Sequence, residues 1–537
     1  MTSRRDIGKT GADRPRREVT PGTPVMRRAL FLLFSLLLFG SAFGAVPEEA
    51  VYQWAADVTG IVSKETKAAP RAYLWLPPAT VKAKGLVLAQ HNMLEEPVFA
   101  HPAFRAELTK ADVGLVWITP MVMQAWDKLA DAELAAFENV LRALGEKSGH
   151  PELASVPLAP FGHSAMATYP YLFAAARPER TFCAVSIKGD WPAKGRPCWE
   201  PAKVAARAKV PLLLVTGEYE DGYNRREKAR DLMKEIPDAT FSVWLDVGGG
   251  HFDWSDELCQ GLGKWFADLA AIWERGRPRP LTGVSVNGFW YPNEKLAKMV
   301  ADYESLPRGK GKFTVLGYEY EGKTLEQNPK AHLQVVFGTK DMTFEVKPVF
   351  ETTVPPGRPE TWTGKKAGEA NEVPDVTSRR GAGKSAVTAA RREVTPGTLV
   401  LQKIQGPVEH LGGNSWAVRY NRYDPRGYRS REASFQMVYP GSKGFKRSVQ
   451  QGLVHLPWPR QDLKDGGTFT VSAKAFPKTV PAGYGAYVRE GPAVVENGRI
   501  VIRDVPKRLK GPIDIAVVSY DLARKEPSVL TVYRLVR

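Results

Sequence analysis

The sequence predicts a mostly parallel α/β sheet with helices on both faces, followed by an all-β region. Three observations predict it. Short, continuous apolar runs alternate with helix-like stretches between residues 46 and 280, the pattern of strands buried on both faces. Beyond 281 the helical signal fades and short alternating segments punctuated by Pro and Gly take over. Between the two, residues 352–400 are rich in Pro, Gly and charge, and read as a disordered linker.

In chain order, Gly85–Ala89 and Val113–Ile118 read as buried strands. Leu134, Phe137, Leu141 and Leu144 then share one helical face, closed by Gly145. Val156–Phe161 is a strand leading into a helix over Ala165–Ala176. Cys183–Ile187, Val210–Val215 and Phe241–Leu245 are further strands, and a closing helix carries Leu258, Leu262, Phe266 and Leu269. The later strands are Leu333–Phe337, Thr343–Val349, Trp416–Tyr420, Thr468–Ala473, Arg499–Ile502 and Ile513–Ser519. The stretch from Glu490 to Gly498 reads as a hairpin of the kind found in immunoglobulin-like repeats.

The formal charge of +17 invites a nucleic-acid reading. It is discounted because Thr2–Val25 and Thr377–Val400 are copies of one another, identical at 15 of 24 positions without a gap. These copies, with the basic residues before Ala29, hold about half of the excess charge, and no reading motif accompanies them. A single short duplication fits no structural repeat. Residues 1–25 therefore read as a repeat-derived extension. From Met26, Arg27 and Arg28 precede an apolar run over Ala29–Phe39 and a small-residue zone over Ala42–Ala45. This is the layout of a signal peptide (26–45) cleaved near Gly44 or Ala45, and the run is short for a stable membrane anchor. The expected location is periplasmic or extracellular. Export permits disulfides. Cys183 lies in a strand, while Cys198 and Cys259 follow consecutive elements, and spacing alone leaves their pairing open.

The candidate chemistry centres on Gly162-His163-Ser164-Ala165-Met166. A serine at a sharp strand-to-helix turn has its hydroxyl pushed outward beside the first amides of the next helix, which supplies a nucleophile and an oxyanion donor together. Crowding there requires small neighbours, which Gly162 and Ala165 provide; Met166 departs from G-x-S-x-G. Glu218, Glu220 and Asp221 follow the Val210–Val215 strand, and His251 follows the next strand after three glycines. Nucleophile, acid and histidine thus fall in the order such a turn demands, each past the carboxyl end of a strand.

On these residues, positions 46–280 resemble an α/β-hydrolase. The resemblance is to the secreted esterase branch, which includes feruloyl-esterase-like, polyhydroxybutyrate-depolymerase-like and dienelactone-hydrolase-like proteins. The Gly-His-Ser turn, the Gly217-x-x-Glu220 turn and the Gly250-His251-Phe252 turn carry it. It implies a serine esterase with Ser164 as nucleophile, His251 as base and Glu220 as acid, with Glu218 and Asp221 as rivals. Oxyanion donors would be the Ala165 N–H and that of Asn92 or Met93. His91 either shapes that loop or lines the site. Trp191 and Trp254 either line a pocket for an aromatic or sugar group or pack the core. No Cys/His spacing suggests a metal; Gly383-Lys384-Ser385 lacks the strand and the first glycine of a phosphate loop. No cofactor is expected. The expected substrate is a small-molecule or polysaccharide ester, with no nucleic-acid partner. The domain layout is then a catalytic domain over 46–280, a β-rich connecting region over 281–351, the linker, and a β-sandwich over 401–537. Two other readings remain: a serine peptidase of the prolyl-oligopeptidase kind, and a glycan-binding protein with a decayed site.

Overall fold

The computed structural model describes residues 51–305 apart from 64–66, 93, 218–221, 248–250, 252–253 and 275–280. It also describes isolated strands between 319 and 456, and residues 463–536 apart from 508–511 and 522–525. The first repeat copy, the signal segment and the linker with the second copy up to 399 lie outside them, as do Met93, Glu218, Glu220 and Asp221.

Eight strands form the main sheet: β1 (Trp54–Asp57), β2 (Arg71–Trp75), β3 (Gly85–Gln90), β4 (Val113–Thr119), β5 (Leu158–His163), β6 (Ala184–Ile187), β7 (Leu212–Gly217) and β8 (Phe241–Asp246), in spatial order 1-2-4-3-5-6-7-8. β1 and β2 are antiparallel to their neighbours, and β3 to β8 run parallel. Every residue of β3 to β8 is buried, which explains their continuous apolar runs. Helices α1 (Glu95–Ala100), α2 (Pro102–Lys110), α3 (Asp131–Ser148), α4 (Tyr169–Ala176), α5 (Trp199–Arg207), α6 (Gly222–Glu235) and α7 (Asp256–Glu274) complete the layers.

Two helix boundaries differ from the sequence expectation. Helix α3 does not stop at Gly145; it runs to Ser148, with Gly149 at φ 73° as its left-handed cap. Gly145 instead allows close passage of the His150 carbonyl, 2.8 Å from where a Cβ would sit. The expected helix over Ala165–Ala176 is split into a 3-10 turn (Ser164–Met166) and α4, with Pro170 in the first turn of α4.

The first residues of the stretch expected as a connecting region pack on the main core. A hairpin of β9 (Val284–Val286) and β10 (Phe289–Tyr291) leads into α8 (Glu294–Glu304). Phe289, Tyr291, Leu296, Val300 and Tyr303 join the main core. The reason is the open edge of β8. Tyr291 Oη donates to the Val243 carbonyl (2.6 Å), Glu304 Oε1 accepts from the Leu245 N–H (3.1 Å), and Ser242 Oγ donates to the Trp290 carbonyl. These contacts satisfy edge groups that would otherwise template further pairing.

Strands between Glu319 and Leu456 form small antiparallel sheets. The expected strands at 333, 343 and 416 appear there as Ala331–Phe337, Thr343–Phe350 and Ser415–Val418. Residues 464–536 form a four-stranded and a three-stranded sheet around Val488, Ala493, Ile500, Ile515, Val517 and Leu535. The expected hairpin is present: Ala493–Glu496 pairs with Arg499–Ile502 across Asn497 and Gly498, both at positive φ.

This C-terminal unit seats against the antiparallel end of the main sheet. Gly491 bridges Tyr52, and the buried Glu490 carboxylate takes the Arg71 guanidinium on one oxygen and Lys147 Nζ (3.3 Å) on the other. Trp75 Nε1 donates to Asp504 (3.3 Å), and Ile513 enters the core beneath β2 and β4. Replacing Glu490 by alanine leaves a largely buried guanidinium with only the exposed Asp57 carboxylate (3.0 Å) as counter-charge among the described residues. It is expected to cost about 3 kcal/mol, visible as a lower melting temperature and faster proteolysis near 490. An unchanged melting temperature would contradict this account of the seam.

Candidate active site

The strand β5 delivers the chain to Ser164, whose φ is +54°. Few residues other than glycine adopt this conformation, and it is a hallmark of strained functional turns. The turn is possible because of two glycines. A Cβ at Gly162 would overlap the Met166 carbonyl, and one at Gly189 would lie 2.8 Å from Ser164 Cα. Sequence reasoning found the first and missed the second, since Gly189 comes from β6's loop. Met166 is no obstacle: its side chain is 2% exposed and joins the core with Leu134, Phe137 and Phe173. Ser164 itself is half-buried and Ala165 is exposed, so the turn opens to solvent.

His251 lies in the loop after β8. Its Nε2 is 2.7 Å from Ser164 Oγ. The structure thus brings together two residues 87 positions apart. The three acidic candidates lie outside the described residues. Their segment is bounded by the last residue of β7, Gly217, which pairs with Asp246 of β8, and by the start of α6 at Gly222.

A buried network holds this pair, and much of it was not foreseen. His163 is fully buried, and its Nε2 donates to the His251 carbonyl (2.8 Å). Its Nδ1 is then the acceptor facing Asn92 Nδ2 (3.4 Å), which also donates to the His163 carbonyl (2.8 Å). The Glu95 carboxylate, 1% exposed, accepts the His163 N–H on one oxygen (2.8 Å) and the Asn92 N–H on the other (3.1 Å). The histidine of Gly-His-Ser therefore ties the serine turn to the histidine loop, and Glu95 ties it to the loop after β3.

This network corrects one expectation. The Asn92 N–H points at Glu95 rather than at an incoming oxyanion, because the start of α1 folds that carboxylate back under the loop. The other member of the expected pair, Met93, lies outside the described residues. His91 is also corrected as a site-lining residue: it is 6% exposed and packs edge-on against Trp117, with centroids 5.7 Å apart. Its N–H continues the ladder to Ile118, which turns the ring inward.

The two tryptophans separate. Trp254 is 9% exposed and belongs to the main core, so for it the packing alternative holds. Trp191 is half-buried, just past Gly189, with the guanidinium groups of Arg196 and Arg225 over its ring at 4.1 Å and 4.7 Å. Arg196 is held by Asp190, whose second oxygen takes the Cys198 N–H (3.2 Å). Cys198 and Cys259 are buried thiols rather than halves of a disulfide. Burial, with Asp190 beside it, pushes the Cys198 thiol well above its usual range.

A further ionic pair lies under the site. Lys188, wholly buried, meets Asp246 at 2.6 Å. Lys188 follows β6 and Asp246 ends β8, so the pair crosses the carboxyl end of β7 between them. Among the described residues no group of His, Cys, Asp and Glu is arranged to hold a metal ion, and no helix is long and apolar enough to cross a membrane.

No protein-family model matches the chain, and no curated protein sequence matches it. Solved structures do. A fluorophosphonate-binding serine hydrolase of Staphylococcus aureus is 13% identical, with 40% of this chain and 97% of that chain covered (TM-score 0.30). A siderophore hydrolase of Aspergillus nidulans is 12% identical, with 47% and 99% covered (TM-score 0.32). A dienelactone hydrolase of Anabaena variabilis is 17% identical, with 40% and 95% covered (TM-score 0.29). A sheet ordered 1-2-4-3-5-6-7-8 with only its second strand antiparallel within the central seven, and a left-handed serine at the turn after the fifth strand facing a histidine after the eighth, is the α/β-hydrolase fold.

Proposed function

We propose that this chain is a serine hydrolase that cleaves carboxylic esters through an acyl-enzyme on Ser164. One observation carries the reading: a serine hydroxyl held in a strained left-handed turn, 2.7 Å from an imidazole nitrogen supplied by a separate loop. In this mechanism His251 Nε2 takes the Ser164 proton as Oγ attacks the ester carbonyl carbon. The Ala165 N–H, with a second amide at position 93, stabilises the oxyanion. The tetrahedral species collapses, the carbonyl reforms, and the alcohol leaves with the proton from His251. Water, deprotonated by the same imidazole, then attacks the acyl-enzyme; the acyl–Oγ bond breaks, the carboxylic acid leaves, and His251 returns the proton to Ser164 Oγ. A carboxylate from Glu220, or from Glu218 or Asp221, orients His251 and stabilises its charged form.

The finer reading is an exported enzyme acting on ester groups of polysaccharides or on small esters. The signal-like segment before Val46 supports export.

The test is labelling with a fluorophosphonate probe, followed by peptide mapping, and then parallel ester and peptide panels. Modification at Ser164 with turnover of esters is the expected result. Turnover of peptides alone would favour the peptidase reading. Absence of any adduct at Ser164 would leave a non-catalytic glycan-binding protein as the better description.

A further inference from the structure

The histidine loop has two stems, and one side chain joins them. Asp246 ends β8 and enters the loop; Ser255 leaves it just before α7. Tyr303, on α8, donates its hydroxyl proton to Asp246 Oδ1 at 2.6 Å and lies 3.0 Å from Ser255 Oγ. The hydrogen-bond directions follow from the groups present. An ionised carboxylate only accepts, so Lys188 gives a proton to one Asp246 oxygen and Tyr303 to the other. The phenol oxygen must then accept from Ser255, whose own oxygen accepts the Leu258 N–H at 3.1 Å. The result is a chain whose donors converge on Asp246, from the first turn of α7 through Ser255 and Tyr303 on one side and from Lys188, just before Gly189, on the other. Gly189 in turn abuts Ser164.

We propose that Tyr303 is a positioning residue for the proposed hydrolase reaction, clasping the stems of the loop so that His251 is held at hydrogen-bonding distance from Ser164. The inference rests on the serine-hydrolase reading. Three further observations support it. The centre of the clasp is buried: Lys188, Asp246 and Tyr303 are 0%, 2% and 7% exposed, with Ser255 half-buried at its end, so water does not cheaply replace a bond lost at Asp246. The helix carrying Tyr303 is itself fixed to β8, since its last residue, Glu304, takes the Leu245 N–H and the Arg226 guanidinium (2.9 Å). The Tyr303 ring is also packed edge-on against Trp244 at 5.7 Å, so deletion of the hydroxyl alone leaves the ring anchored. Burial, with the Asp246 carboxylate alongside, holds the phenol far above its ordinary range, so it remains a proton donor at any working pH.

Loop stems held loosely displace the imbedded base, and misplacement of about 1 Å costs about 100-fold in rate. The test is Tyr303→Phe in the full chain, with active sites titrated by the fluorophosphonate. Turnover per titrated site is expected to fall about 10- to 100-fold, with KM within about twofold and the labelling rate falling in parallel. Ser255→Ala removes the other end of the clasp. It should show the same kcat-not-KM split, and the double variant should be little worse than Tyr303→Phe alone. If Tyr303→Phe folds poorly, Ser255→Ala reads the same split in a less perturbed chain. Unchanged turnover per titrated site, whatever the melting temperature does, would overturn the clasp while leaving the hydrolase reading intact. If the unmodified chain takes no fluorophosphonate at Ser164, both fall together.

Discussion

Exchanging Ser164 for alanine is expected to lower turnover of p-nitrophenyl acetate by about four orders of magnitude or more. The loss is this large because hydroxyl and imidazole act as one unit. Without Oγ, the proton that His251 Nε2 accepts at 2.7 Å no longer exists, and water must attack from an unprepared position. His251→Ala should therefore cost nearly as much, and the double variant hardly more. Residual activity above the uncatalysed rate would come from the oxyanion donors alone. Stability should change little. Alanine at 164 inherits the same left-handed backbone as serine, and Ser164 is only half-buried. The measurement is initial rate per mole of folded protein, with circular dichroism to confirm folding. Activity within tenfold of the unmodified chain would remove Ser164 from the reaction.

The largest expected effect on stability belongs to Lys188→Met. This substitution keeps the apolar stem and removes the ammonium. Among the described residues, the Asp246 carboxylate then stays buried with only the Tyr303 hydroxyl on it. Breaking one side of a buried ion pair costs about 3–5 kcal/mol, because the desolvation of the remaining charge is no longer offset. At about 2–4 °C per kcal/mol for a domain of this size, the melting temperature should fall by roughly 10 °C. A control separates charge from packing. Lys188→Met combined with Asp246→Leu removes both charges, and should recover much of the loss, since an apolar pair can replace a buried ionic one at little cost. Scanning calorimetry of the three proteins decides the matter. A single variant that melts within about 2 °C of the parent would show that Asp246 is solvated or neutral in the folded chain.

The same two residues mark how far the linear sequence can be read. Lys188 follows an apolar strand and looks like an ordinary solvated lysine, because nothing near it in the chain announces Asp246, 58 positions later. The pairing exists only because β6, β7 and β8 lie side by side. Gly189 was equally silent: its need for glycine comes from the serine turn, since a Cβ there would lie 2.4 Å from the Ser164 carbonyl oxygen and 2.8 Å from Ser164 Cα. Glu95 was not a candidate either, since a glutamate at a helix start is commonplace. Only the folded loop shows it accepting two backbone amides. The alternation of apolar runs, by contrast, was legible because burial on both faces acts on every residue of a strand. β1 and β2 were harder to see, being short and, in β1, partly exposed. The packing of residues past 280 onto the main core was silent for a related reason. The hairpin and α8 belong to the core because β8 has an edge to cover, a requirement that composition does not express.

What the chain's letters determined unaided was the order of events: an apolar strand, a crowded turn with a serine, an acidic turn and a glycine-rich histidine turn. These are local properties, set by burial, backbone sterics and turn chemistry within a few residues. What only the tertiary structure decided was distance. It placed an imidazole against a hydroxyl across 87 positions, set Asn92's amide on Glu95 rather than toward substrate, and closed the histidine loop with a tyrosine from a helix beyond the expected domain. Such contacts arise where separate strand ends meet at one rim of a sheet, and loop closure over tens of residues leaves no mark on the composition of either end.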